Sequence, residues 1–395
     1  MSARSRAAWP LVALFAAGYL AAYLLPTVVG RLSSGLGLSS TQAGLIGSAL
    51  LLSSAAAGFT LASRVERYGE RRLARLGLLL AFAGYGGGAL TTYVPLVVAG
   101  AAVGGFGSGT ATAVAAAGMA ARPDPHRATT LGLLTVSATA GTLYLTIPHL
   151  GGGHALPFAA IALVAAAVWP VTGRLPEAGP ARVTAAGDAP VSPLPRLRSG
   201  AVLAVGMLCW SLAQNALWGV SGRIGLNQAG LSEVTVGAVF AVALGAGLLG
   251  VSGAGALGLR LGRTAPIGVG TVVIAGCVVL SSSARDLPSF AGGVMLWNVF
   301  YPVVLSYLLG LAAALDPRGR WAVLVGSASS LGVACGPLTG SLLSEQLGFV
   351  GMGTVLAALL LVVAGPLGVV ARGVSGRGPV VGTVHQDEPR VALAS

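Results

Sequence analysis

The sequence predicts an all-helical integral membrane protein: twelve transmembrane helices in two six-helix halves related by a pseudo-twofold axis. Three observations lead there. Of 395 residues, 55% are hydrophobic and only 9% are charged, whereas soluble domains carry about 25% charge. The apolar residues fall into twelve blocks near the roughly 20-residue length that crosses a ~30 Å hydrocarbon layer. Three short segments recur in the same order 192–193 residues apart.

The blocks lie near residues 8–30, 41–62, 73–92, 95–119, 128–148, 156–172, 200–222, 234–258, 265–283, 289–314, 321–343 and 348–370. They are too long for membrane strands and do not alternate. Arg4 and Arg6 ahead of the first block would suit a signal peptide, but its apolar run exceeds the usual ~7–15 residues and reads as a retained span. Ser39 and Gln42 have the spacing of a capping box at the start of the second block. Cys209, Cys277 and Cys335 sit inside blocks without disulfide or metal spacing, and no metal or cofactor is expected.

All 23 basic residues are arginine, against 11 acidic residues. They lie between apolar blocks rather than on one soluble face, so the net charge of +12 does not point to nucleic acid. Twenty fall in the termini and alternate loops, and three (Arg31, Arg223 and Arg285) on the other side. The positive-inside rule then puts both termini in the cytoplasm and makes the span number even.

The repeat pairs Arg31 with Arg223, Leu38-Ser39 with Leu231-Ser232, Arg67 with Arg260, Gly69 with Gly262 and Asp124 with Asp316. Matches in the same loop of each half imply a duplicated six-helix unit of parallel topology. The expected division is an N-terminal half over 1–172, a Pro- and Arg-rich cytoplasmic linker over 173–199, a C-terminal half over 200–371 and a disordered tail over 372–395.

The loop after the second block carries the densest charge. It reads Ala62, then Glu66-Arg67, Gly69 and Arg71-Arg72, with a partial copy at Gly255, Arg260, Gly262 and Arg263 where Leu259 stands at the acid position. Over essentially its whole length the sequence resembles the major facilitator superfamily, departing from the signature by alanine for glycine and glutamate for aspartate. The resemblance implies a secondary transporter working by alternating access, with this loop as a cytoplasmic gate. It also implies a central cavity lined mainly by the first, fourth, seventh and tenth spans. Residues placed to line it are Tyr19, Tyr23, Tyr144, Trp210, Gln214, Asn215, Trp218, Trp297, Asn298 and Tyr301, since lipid-facing positions would be aliphatic. Trp9, Trp169 and Trp321, near block ends, read as interfacial belt residues.

By these boundaries no Asp, Glu, Lys or Arg lies mid-span, so the cavity suits a neutral, zwitterionic or amphipathic organic molecule. The candidate proton carriers are His149, Glu233 and Glu345 at span ends. The fifth span lacks the glycine-proline motif of related drug antiporters; the eleventh holds Gly332, Gly336, Pro337 and Gly340 instead, spaced for close helix packing. No carboxylate dyad, metal cluster or phosphate-binding loop points to an enzyme. The expectation is a monomeric, proton-coupled exporter in a bacterial plasma membrane, with small-molecule substrate, lipids and protons as partners. The alternative is an uptake permease or uniporter.

Overall fold

The computed structural model describes residues 9–61, 64–151, 153–176, 194–258, 260–316 and 318–375, without the side chains of Glu66 and Ser375. Thirteen α-helices are found among them: α1 Trp9–Tyr23, α2 Leu25–Leu36, α3 Ser40–Leu61, α4 Val65–Tyr68, α5 Glu70–Ala89, α6 Val94–Ala120, α7 Pro125–Thr146, α8 Ala155–Val168, α9 Leu197–Arg223, α10 Glu233–Leu257, α11 Thr264–Ser282, α12 Leu287–Leu315 and α13 Arg320–Ser375. Nine are long and apolar enough to cross a membrane, and α1 with α2 forms a further span bent by 47°. Helix α13 is broken at Gly348, whose φ of 70° and ψ of 174° are not helical. Its parts pack on different neighbours: Gly332, Gly336 and Gly340 against α9, and Gly353 against Ser282 of α11. With α5, whose first turns carry Arg71, Arg72 and Arg75, the twelve expected spans are accounted for.

Among the described residues four helices start where a side chain takes up a free backbone donor. Ser39 accepts from the Gln42 N–H at 3.2 Å while the Gln42 side chain accepts from the Ser39 N–H at 3.0 Å, the reciprocal pair of a capping box. Asp124 caps α7 and Asp286 caps α12 in the same manner. Between α5 and α6 the contact is glycine on glycine: a methyl added at Gly77 would stand 2.9 Å from the Gly107 carbonyl. Lipid provides no hydrophobic drive between helices, so small residues that let backbones approach supply the packing energy.

Helices α1–α8 pack largely among themselves, as do α9–α13; the two groups meet along α3 with α13, α7 with α10, and α2 with α9. Among the described residues the hydrogen bonds between the groups lie toward one end. Helix α2 reaches α9, whereas α1 packs on α6, α7 and α8 of its own group. The joined end carries Arg31 and Arg223 and is called the arginine-poor end; the other is the arginine-rich end.

Three expectations change. Arg31 and Arg223 are not loop residues: the first span continues through α2 to Leu36, and α9 reaches Arg223 and runs on into a π-helical turn, Ile224–Gln228. Both side chains are buried, at 5% and 6% exposure, so the helices do hold charge at their ends. Trp321 is not an interfacial ring. It is buried against Gly200 and donates its indole N–H to the Pro195 carbonyl at 2.7 Å. The linker residues 177–193 and tail residues 376–395 lie outside the described residues.

Candidate functional site

Six of the ten expected cavity residues meet in one aromatic and amide cluster built on α9 and α12. Trp210, Gln214 and Trp218 recur every four residues on α9 and therefore share a face. Trp210 stacks on Tyr301 at 5.2 Å, Trp218 stacks on Trp297 at 5.6 Å, and Trp297 touches Tyr301 at 5.5 Å. The Gln214 carbonyl oxygen accepts from the Trp297 indole. That bond fixes the amide and leaves Gln214 Nε2 a buried donor without an acceptor, as is Trp210 Nε1. Asn215 approaches Tyr301 and donates its amide N–H to the Ser211 carbonyl at 2.9 Å. An unpaired buried donor costs about 1–3 kcal/mol, and both Gln214 and Trp210 are fully buried.

The remaining four stand around it. Tyr144 joins through Phe240, at 5.0 Å, and Phe240 also meets Trp218 at 5.3 Å and Phe290 at 6.2 Å. Tyr23 lies in reach of Ser137. Tyr19 meets Phe15 at 4.5 Å with the rings tilted and is exposed. Asn298 bonds back to the Val294 carbonyl at 2.9 Å and packs beside Gly247 of α10 rather than into the cluster. The sequence reading missed Phe240 and Phe290. Phe240 is the single aromatic of its block, which was an available signal; Phe290 shares its block with Trp297, Phe300, Tyr301 and Tyr307 and carried none.

The cluster is tied to the first span by a proline. Pro26 has no N–H, so the Ala22 carbonyl loses its usual helical donor, and the span bends there. Trp218, from the other half of the chain, donates its indole N–H to that carbonyl at 3.1 Å. The adjacent Tyr23 carbonyl accepts from the Tyr144 hydroxyl at 2.6 Å. Pro26 inside the first block was the available signal, and the sequence reading did not use it.

The arginine-poor end is closed by two clasps related by the repeat. Arg31 donates to the Gly151 and Ile147 carbonyls at the end of the fifth span and pairs with Glu233, at the start of α10, at 2.7 Å. Arg223 donates to Ser40 at the start of α3 and to Ser341 and Ser344 on α13, at 3.1 and 3.3 Å for the latter two. Glu345 accepts from the N–H and hydroxyl of Thr41 at 2.9 and 2.6 Å. Two of the candidate proton carriers, Glu233 and Glu345, thus sit in cross-half contacts; His149, in a short 3-10 turn, is exposed and outside them. Small residues complete the closure: Gly44 and Gly47 face Pro337, and Gly237 faces the Tyr144 carbonyl.

At the arginine-rich end, Ala62 and the Glu66 side chain lie outside the described residues, as does Leu259. Gly69 has φ 86° and Gly262 φ 64°, a region L side chains avoid, so glycine lets both copies of the loop turn. Arg67 lies 5.9 Å from the Tyr68 ring, and Arg71 donates to the Leu175 carbonyl at 3.0 Å. Arg72 and Arg260 are exposed and Arg263 is half-buried. The sequence reading gave no role to Glu70, whose half-buried carboxylate has one oxygen without a hydrogen-bond partner.

Paired helix bundles, joined at one end around a shared polar and aromatic centre, define a multi-pass membrane protein of the secondary-transporter class. Known proteins agree. The human organic anion transporter MFSD10 (TETRAN) is similar at a TM-score of 0.67 and 20% identity, over 93% of this chain and 100% of that one. A bacterial homologue of the human lysosomal transporter Spinster, solved inward-facing and unoccupied, is similar at 0.74 and 14%, over 96% and 100%. The POT family transporter PepTSo is similar at 0.74 and 13%, over 94% and 99%. No curated protein matches the chain. The sequence pattern of the Major Facilitator Superfamily matches residues 11–318. The chain belongs to the Major Facilitator Superfamily and is a solute transporter rather than an enzyme.

Proposed function

We propose that this transporter exports a small neutral, zwitterionic or amphipathic organic molecule across the plasma membrane, by alternating access coupled to inward proton movement. The observation that carries the reading is the Trp210–Gln214–Trp218–Trp297–Tyr301 cluster with its two unpaired donors. Stacked rings bind flat or apolar bodies, and fixed amide and indole donors orient a carbonyl or similar acceptor. The arginine bias puts both termini, and the arginine-rich end, in the cytoplasm. On this reading the closed end is external and cargo loads from the inside. Ala62, Glu66, Arg67, Gly69, Arg71 and Arg72, with Arg260, Gly262 and Arg263, act as the inner gate when the cycle reverses. Glu233 is the proton carrier this reading favours: its half-exposed carboxylate holds Arg31 across the outer seam, so protonation from outside loosens that seam.

One observation favours uptake or uniport without proton coupling: among the described residues no Asp, Glu or His belongs to the aromatic cluster. Proteoliposomes of known orientation separate the two. A panel of neutral, zwitterionic and amphipathic compounds is applied under an imposed pH gradient, and proton and solute fluxes are recorded. Solute-dependent proton flow opposite to the solute supports export by antiport. Solute exchange with no proton flow refutes the coupling and leaves the uniport reading.

A further inference from the structure

Glycines in the second half of the chain fall into two sets. Gly332, Gly336, Gly340 and Gly353 face a neighbouring helix so closely that an added Cβ would collide with it. Gly268 on α11 and Gly365 and Gly368 on α13 have no atom within 4 Å of that position, so close packing does not account for them. All three line one cavity of about 800 Å³ between α11 and the last part of α13. The two helices touch at the arginine-poor end, where Gly353 meets Ser282, and part toward the arginine-rich end, where the missing side chains leave a furrow. Its walls are apolar and face outward: Val269, Val272 and Val369 are each more than half exposed.

The furrow is graded along the helices. Val272, Val273 and Ala364 form its deep end, and Leu261, Thr264 and Arg372 its mouth. From Ala364 to Arg372 it runs about 12 Å at ~1.5 Å per residue, close to the ~15 Å of hydrocarbon in one leaflet. Arg372 is exposed in the last turn of α13, and among the described residues it has no hydrogen-bond or ion-pair partner. Arg260 and Arg263 stand in the segment that leads into α11. Among the described residues of α9–α13 the acid at this end is Asp316, and it pairs with Arg320. We propose that the furrow binds one anionic phospholipid of that leaflet, with an acyl chain lying over Gly268, Gly365 and Gly368 and the phosphate paired with Arg372 beside the Thr264 hydroxyl. Bulk lipid is as apolar as the furrow, so selectivity comes from the charged headgroup, and the furrow seats one chain beneath the arginine. A second copy of the chain fits less well. Copies share one orientation in a membrane, so its Arg372 would arrive at the level of this one and repel it. Such a site serves the membrane rather than the cargo and stands apart from the export reading.

The test is native mass spectrometry of the full-length protein, released from a nonionic detergent after incubation with palmitoyl-oleoyl phosphatidylglycerol or with the phosphatidylcholine of the same chains. Expected is a single phosphatidylglycerol retained per chain, held about fivefold more tightly than phosphatidylcholine, the worth of one arginine beside an anionic headgroup. Arg372→Gln should abolish the preference and Arg372→Lys should keep it. Arg64→Gln, at an exposed arginine of the other helix group, should leave it unchanged. Gly268→Leu fills the furrow from an open position and should lower retention of both lipids with Arg372 still in place. Equal retention of the two lipids, a preference unchanged in Arg372→Gln, an equal loss in Arg64→Gln, or retention unchanged in Gly268→Leu would each overturn the proposal. A lipid-free dimer would overturn it as well and give the furrow to a second copy.

Discussion

Replacing Trp218 with phenylalanine tests how the closed end is held. The phenyl ring can keep the contacts with Trp297 and Phe240, but it removes the indole donor to the Ala22 carbonyl, whose helical donor Pro26 cannot supply. With the arginine-poor end closed, that carbonyl is left buried and unpaired. With the end open, water reaches it. The loss therefore falls on the closed state alone and should cost it about 1–3 kcal/mol, which raises the open-to-closed ratio by roughly 5–150-fold. A reporter is available at Gly30, which lines a cavity between the halves at the closed end with room for a side chain. In a background lacking Cys209, Cys277 and Cys335, Gly30→Cys is titrated with a membrane-impermeant thiol reagent. Its labelling rate should rise by that factor in the Trp218→Phe variant. Adding Pro26→Ala restores the N–H and should return the rate most of the way. An unchanged rate in Trp218→Phe, or no effect of Pro26→Ala in the double variant, would refute the argument that the proline break is satisfied from across the halves.

Two other outcomes follow from local geometry. A Cβ at Gly336 would stand 2.6 Å from that of Asn215, with backbone of α9 equally close, so Gly336→Leu overpacks α13 on α9, at about 1–3 kcal/mol or more; its thermal midpoint should fall while Gly276→Leu, at an open position, leaves it unchanged. Burial pushes the Asp316 carboxyl up, but the Arg320 side chain at 2.7 Å and the Arg318 N–H outweigh it and hold the group below its ordinary value. A depressed folded-state pKa gives stability that is present above the unfolded value of about 3.9 and is lost as pH falls through the folded one, so Asp316→Asn should flatten the acid limb of a stability-pH curve and leave its neutral region's slope intact.

How much was legible without coordinates depended on how far the cause of each feature lies along the chain. The capping box at Ser39 and Gln42, the break at Gly348 and the turns at Gly69 and Gly262 arise from neighbours within a few residues. The α9 face of Trp210, Gln214 and Trp218 follows from helical periodicity, and these residues do come together. Asn298 was read onto the same surface, yet it turns toward Gly247, because the rotation of α12 about its axis is chosen by its packing partners. Trp321 looked interfacial by its position near a block end, but Gly200 opposite it opens a slot that a larger residue would fill.

The amino-acid sequence by itself determined the twelve helices, their duplicated order and the side on which the arginines gather. Lipid cannot hydrogen-bond the backbone, so each span must satisfy itself over about 20 residues, and that demand is written locally. The tertiary structure alone decided which side chains complete one another across the halves: Trp218 with the Ala22 carbonyl, Arg31 with Glu233, and Arg223 with Ser40. These partners lie between 183 and 202 residues apart. Their meeting depends on helix rotation, on the bend at Pro26 and on which end of the two bundles is closed, none of which a span's own residues specify.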